Sequence, residues 1–163
     1  MAKKEAKAKA KTEWTTPVEF HFRVDFQLKS EHFKASFMEV RGLNMTLDTK
    51  GKINDNGAHT RIPNGLSYGK ITFKRALEPL SEPFTKWINE CFSYLENKDR
   101  KLNTYDMVIK LLNKDGKPLA GWLGRHAYPI EWNLDGMNAM ESKLSMESVT
   151  MACNSLKRLP NLP

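Results

Sequence analysis

The residues with chemical reach are few and scattered. The chain has four histidines, His21, His32, His59 and His126, and two cysteines, Cys91 and Cys153. None stands in an HxxxH or CxxC spacing, which a metal site built on one element would need. His21 falls on the polar side of an alternating segment, where a solvated or interface role is expected rather than a ligand. The cysteines lie far apart in apolar stretches and read as buried thiols of a reducing compartment, not as a disulfide framework. There is no GxSxG, no phosphate-binding P-loop and no GxGxxG. Gly121, Trp122 and Gly124 form a glycine-rich patch, but no helix follows to receive a phosphate, so a close-packed turn is expected there. Carboxylates are spread along the chain beside Lys or Arg. This pattern assigns no catalytic, cofactor-binding or metal-binding residue, and the expectation is a protein that is not an enzyme and carries no cofactor.

Charge narrows the classes further. The net charge is +7 over 163 residues. Residues 1–13, MAKKEAKAKAKTE, are rich in Lys and Ala and hold almost nothing bulky and apolar, so a basic flexible N-terminal segment is expected. The first twelve residues hold five lysines and one glutamate, leaving 21 Lys+Arg against 18 Asp+Glu in the rest. The folded body is therefore close to balanced, which weakens a reading as a basic nucleic-acid-binding β-barrel, since that wants charge clustered on the fold. No run is long and apolar enough for a membrane helix. The N-terminus lacks the apolar core of a secretory signal.

The elements that must position these residues are mostly strands. In VEFHFRVDFQL, Val18, Phe20, Phe22, Val24, Phe26 and Leu28 alternate with Glu19, His21, Arg23, Asp25 and Gln27. A period of two over this length predicts a strand of roughly 36 Å with one buried and one polar face. FKASFMEV (33–40) follows across a turn at Lys29–His32. Leu43, Met45 and Leu47 resume the alternation. Residues 48–61 hold Ile53 as their only large aliphatic and a turn at Asp55–Asn56–Gly57, predicting an exposed polar arm or hairpin. Pro63–Asn64–Gly65 reads as a second turn, and Lys70–Ala76 as a strand with Ile71 and Phe73 inward. Then the period changes. Phe84, Trp87, Ile88, Cys91, Phe92 and Leu95 share one helical face, with Ser81 as N-cap and Pro83 in the first turn. Strands resume at Tyr105–Leu111, Leu119–Leu123, 126–134 (with Pro129 marking an edge or bulge) and 144–152. The closing SLKRLPNLP shows no regular pattern. About eight strands and one helix, near residues 82–96, predict a mainly β fold. Its expected core is open and β-barrel-like, two packed antiparallel sheets with one flanking α-helix.

The order of these pieces resembles the tube proteins of contractile phage tails and of phage-tail-like contractile injection systems. The matching segments are FHFRVDF (20–26), FMEVRGLNM (37–45), IPNGLSYGKITFKRAL (62–77), the helical PFTKWINECF, DMVIKLLNKDG, AYPIEW (127–132) and SKLSMESVTMAC (142–153). Two positions depart from the family pattern: Glu131 stands where a lysine is usual, and Met146 where an isoleucine is. The resemblance implies a tail-tube domain over 14–163 that forms hexameric rings. These stack into a hollow tube expelled when a surrounding sheath contracts. It implies as partners a sheath protein, baseplate, spike and tube-terminating proteins, and a toxin or DNA cargo in the lumen. It also implies assembly in the bacterial cytoplasm and no stable membrane insertion. A type VI secretion tube subunit is the alternative within the same architecture.

Three surfaces are expected to serve assembly. Lys50, Lys52, Asn54, Asp55, Asn56, His59 and Arg61 of the arm, with the N-terminal segment, are expected between rings. Glu19, His21, Arg23, Asp25 and Gln27 are expected toward the lumen. Lys86, Asn89 and Glu90, on the outer side of the helix, are expected toward the sheath.

Overall fold

The computed structural model describes residues 20–53, 56–96, 98, 101–137, 140 and 144–161. Residues 1–13, Glu19, Asn54 and Asp55 lie outside the described residues. Ten strands and one helix follow in the order β1 (Phe20–Leu28), β2 (Glu31–Phe37), β3 (Glu39–Arg41), β4 (Met45–Ile53), β5 (His59–Tyr68), β6 (Ile71–Ala76), α1 (Pro83–Phe92), β7 (Tyr105–Asn113), β8 (Pro118–Leu134), β9 (Met146–Ala152) and β10 (Ser155–Arg158). Every pairing is antiparallel.

The main path runs β2-β1-β7-β8-β9-β6-β3, with β10 on β8. It forms two layers because β8, 17 residues long, serves both. Its first half pairs with β7 and β10, its second half with β9. The register slips between Pro129 and Glu131, so the proline marks the bulge where the strand changes layers. The chain makes a second crossing at Met38, whose N–H donates to the Lys74 carbonyl at 2.9 Å and hands β2 of one layer on to β3 of the other. The first layer is thus β2-β1-β7-β8-β10, and the second is β3-β6-β9-β8. The core lies between them, since period-two strands turn one face inward. Val24, Phe26, Ala35, Phe37, Met107 and Ile109 come from the first layer, and Ile71, Phe73, Val149 and Met151 from the second. Phe84 and Trp87 of α1 plug one side. Phe26 and Phe33 stack at 5.0 Å between ring centroids, and Trp87 meets Tyr105 edge-on at 5.0 Å.

Several sequence expectations change on inspection. The helix begins one residue later than Ser81 implied. Glu82 is its N-cap, accepting from the Thr85 N–H at 2.9 Å, because the same carboxylate also holds Arg75 at 3.0 Å. The helix ends at Phe92, so Phe92 and Leu95 are not carried round to the core and stand exposed. Pro63–Asn64–Gly65 is not a turn but part of β5, accommodated by a register shift opposite Asp48/Thr49. Gly121–Gly124 is not a turn either. It lies in β8, where Gly124 packs so closely on the Met107 side chain that a Cβ would collide with it. The closing segment, expected to be irregular, contributes β10.

The hairpin β4–β5 is tied to the sandwich by a short neck. The Asn44 N–H donates to the Gly42 carbonyl, and the Gly69 N–H to the Asn44 carbonyl, at 2.8 and 3.1 Å. Gly42 has φ +83°, and a Cβ there would fall on the Lys70 carbonyl oxygen. Gly57 has φ +73° with open space around it. Both substitutions to alanine bear the left-handed strain of about 1–2 kcal/mol. Only Gly42→Ala adds a backbone clash, so thermal unfolding should register it as clearly the more damaging of the two. Equal losses would mean that the neck yields freely.

Candidate functional site

The surfaces available for assembly are the hairpin, the two outward sheet faces, the strand edges and the helix's outer side. The hairpin is polar along one face and apolar along the other. Its register places Met45 opposite Tyr68, Leu47 opposite Leu66, Thr49 opposite Pro63 and Ile53 opposite His59. By the pleat these share one face, with Arg61 beside Gly51. Lys50, opposite Ile62, and Lys52, opposite Thr60, share the other face with Asp48 and Ser67, and the Ser67 hydroxyl donates to Asp48 Oδ1 at 3.4 Å. Met45, Leu47, Ile53 and Leu66 are all exposed. The expected arm of 48–61 is therefore longer, and its apolar base was missed. The signal was present in the alternation at Met45/Leu47 and again at Leu66/Tyr68. Of the seven arm residues named from sequence, Lys50 and Lys52 lie on the polar face, His59 and Arg61 on the apolar face, and Asn56 in the turn.

The outward face of the first layer collects four of the five residues expected toward the lumen. His21, Arg23, Asp25 and Gln27 alternate with the core residues of β1. Across the register, Arg23 sits between Ser36 and Lys110, Asp25 between Lys34 and Val108, and Gln27 between His32 and Asp106. Asp25 pairs with Lys110 Nζ at 3.1 Å and with Arg23 Nε at 3.7 Å. Arg125 and Lys157 extend the same face through β8 and β10. The charges on it are mostly positive.

The outward face of the second layer was not singled out from sequence. Thr72 and Thr150 hold each other through their hydroxyls at 3.1 Å, and Lys74 pairs with Asp135 at 2.9 Å. Glu39, Arg41, Thr72, Lys74 and Ser148 line a shallow hollow of about 170 Å³. Glu131 and Asn133 continue the face at the β8 edge, Glu131 lying opposite Thr150 and Asn133 opposite Ser148.

A buried ionic cluster locks the second layer to the helix. Arg75 (4% exposed) donates to Glu147 (2% exposed) at 2.7 Å, to Glu82 at 3.0 Å and to the Thr85 hydroxyl at 2.8 Å. Its guanidinium lies over the Phe84 ring, 4.7 Å from the centroid. Trp132 Nε1–H donates to the second Glu147 oxygen at 2.9 Å. Burial pushes the Glu82 carboxyl upward, but the Arg75 guanidinium and the Thr85 donors outweigh it and hold the group below its ordinary 4.5.

Nothing here is arranged for bond-making. Cys91 is half-buried beside Glu90, and desolvation with that neighbouring charge pushes its thiol up to about 12, away from a reactive thiolate. Burial also raises the Cys153 thiol. Burial, and donation to Glu31 at 2.7 Å, push the Tyr105 hydroxyl up. Among the described residues no three His, Cys, Asp or Glu side chains gather to hold a metal, and no helix is long and apolar enough to cross a membrane. On α1, Lys86, Asn89 and Glu90 are exposed, opposite Phe84, Trp87 and Ile88.

Comparison with known proteins supplies the remaining finding. The family model described as T4-like virus tail tube protein gp19 matches residues 18–157. Among solved structures, the fold matches a chain of the anti-feeding prophage baseplate with a TM-score of 0.71, at 20% identity over 90% of this chain and 97% of that one. It matches a chain of the PVC extracellular contractile injection system sheath–tube complex in the extended state equally well, at 21% identity over 91% and 93%. A type six secretion system protein matches with a TM-score of 0.52, at 8% identity over 86% and 83%. No curated protein sequence matches.

Proposed function

This chain belongs to the T4-like virus tail tube protein family, and from that membership we propose that it is a structural subunit that forms hexameric rings stacking into a hollow tube. The observation that carries the reading is the family match over residues 18–157, which takes in both layers, the helix and the hairpin. The work is mechanical. Many weak contacts hold a stiff cylinder, and no covalent step is called for. Head-to-tail stacking of rings is a heterologous contact that does not close along its axis, and such a contact makes a filament. The likeness to contractile injection system chains, at a TM-score of 0.71 against 0.52 for the type six protein, favours a phage tail or injection particle over the type VI branch.

In this reading the tube assembles in the bacterial cytoplasm inside a sheath, between baseplate and terminating proteins, and a toxin or DNA can travel in its lumen. Lys50, Lys52, His59, Arg61 and the turn around Asn56 act between rings. Lys86, Asn89 and Glu90 face the sheath. One of the sandwich's two polar faces lines the lumen: the first-layer face with His21, Arg23, Asp25 and Gln27, or the second-layer face with Thr72, Lys74, Ser148 and Glu131.

Cysteine accessibility tests this. Gln27→Cys and Ser148→Cys report on the two faces. In assembled tubes one of them should be shielded from a bulky maleimide, while both react in dissociated subunits. Full reactivity of both in the assembled material would contradict a hollow tube.

A further inference from the structure

Resting on the tube reading above, we infer that the contact closing each ring joins the β3 edge of one subunit to the C-terminal edge of β8 in the next. Among the described residues, β3 pairs with β6 alone, and Glu131–Leu134 of β8 pair with β9 alone. Both edges belong to the second layer, and they are different surfaces. A contact between them is heterologous and closes by rotation into a ring.

The two edges match in polarity, residue by residue. On β3 the pleat puts Val40 on the core side, opposite Phe73, and Glu39 and Arg41 on the outward side. On β8 it puts Trp132 on the core side, opposite Val149, and Glu131 and Asn133 outward. Joining them continues one sheet with its apolar side unbroken. The large apolar groups left uncovered at these borders are Met38 (64% exposed) and Trp132 (43% exposed). Trp132 is already fixed by its indole bond to the buried Glu147, so little side-chain freedom is lost when a neighbour covers it. Such rigid aromatic anchors are enriched among interface residues that dominate binding.

Charge decides between this border and the other one. Arg41 now has only Glu39, two residues along its own strand, as an ionic partner, and Glu131 accepts only from Asn133 on its own strand. Brought together, Arg41 and Glu131 are opposite charges on the same face. The first layer offers β2 and β10 as edges, and these carry Lys34 on one side and Lys157 with Arg158 on the other. Lysines on edge strands oppose strand addition. A closed second layer with an open first layer also suits a cylinder, since the inner wall has the smaller circumference. The second-layer face, with Thr72, Lys74 and Ser148, then lines the lumen, and the His21–Gln27 face lies outside.

Charge reversal tests the border. Arg41→Glu and Glu131→Arg are surface changes, and circular dichroism should show folded subunits for each. Each alone should raise the protein concentration needed for half-assembly of rings by at least about tenfold, since like charges then meet. The double variant should restore rings, and Trp132→Ala should weaken them. If the unaltered protein forms rings and the single reversals leave them unchanged, or the double variant stays monomeric, the border is wrong while the tube reading stands. If the unaltered protein forms no rings at any concentration, the tube reading fails and the border with it.

Discussion

Arg75→Met should lower the unfolding free energy by about 3–5 kcal/mol, because it strands the buried Glu147 carboxylate without its cation. For a chain of this length that is a fall on the order of 10 °C in melting temperature. Glu147→Leu should cost a similar amount by leaving Arg75 uncompensated among Phe84, Phe37 and Thr85. The double variant Arg75→Met/Glu147→Leu should be less destabilised than either single one, since an apolar pair removes both desolvated charges together. Urea unfolding of the three variants checks this. A double variant as unstable as the sum of the singles would mean that the pair is not the coupled unit described. The helix cap adds a pH signature. The Glu82 carboxyl ionises below 4.5 in the fold and at about 4.5 in the unfolded chain. Its contribution is therefore complete above that value and is lost as pH falls through the lowered folded-state pKa. Glu82→Gln should flatten this part of the acid-unfolding curve.

Deleting residues 51–58 should leave folded rings that no longer stack. The shortened strands keep the Met45–Tyr68 and Leu47–Leu66 pairs next to the Gly42–Asn44–Gly69 neck, so the subunit itself has no reason to unfold. The lost part has no core of its own: every described residue of β4 and nearly all of β5 are exposed. The apolar face at the base makes a second, gentler test. A fully buried leucine contributes about 1.5–3 kcal/mol, and a ring junction repeats it in every subunit. Leu47→Ser with Leu66→Ser should therefore shorten tubes sharply while the melting temperature of the isolated subunit barely moves. Electron microscopy of tube lengths reads both variants. Tubes of normal length from the deletion would remove the hairpin from the junction.

Much of this architecture was legible because strands with one buried face announce themselves by alternation. β1, β6, β7 and β9 follow their apolar residues, and Pro129 marked the bulge that lets β8 serve both layers. What escaped had physical causes. β10 is four residues with a single buried side chain, Leu156, too short to show a period. The hairpin's turn residues Pro63 and Gly65 sit inside a strand because an exposed hairpin with a register shift tolerates them. The buried ion pair was hidden by its charge, although the spacing held the clue. Arg75 continues the inward series Ile71, Phe73, and Glu147 begins the series Val149, Met151, so opposite charges occupy matched core positions on paired strands. The second polar face escaped because its residues are spread over β3, β6, β8 and β9, and only pairing brings them together. The strand edges now proposed to meet have no sequence signature at all, since an edge is defined by what fails to pair.

Self-association into a ring is the claim on which everything else rests. Native mass spectrometry of the purified chain measures it directly. The account expects a species at six times the 18.7 kDa chain mass, growing with concentration and giving way to stacked tubes under the microscope. A monomer that persists at the highest attainable concentration, with no ring or tube, would contradict it.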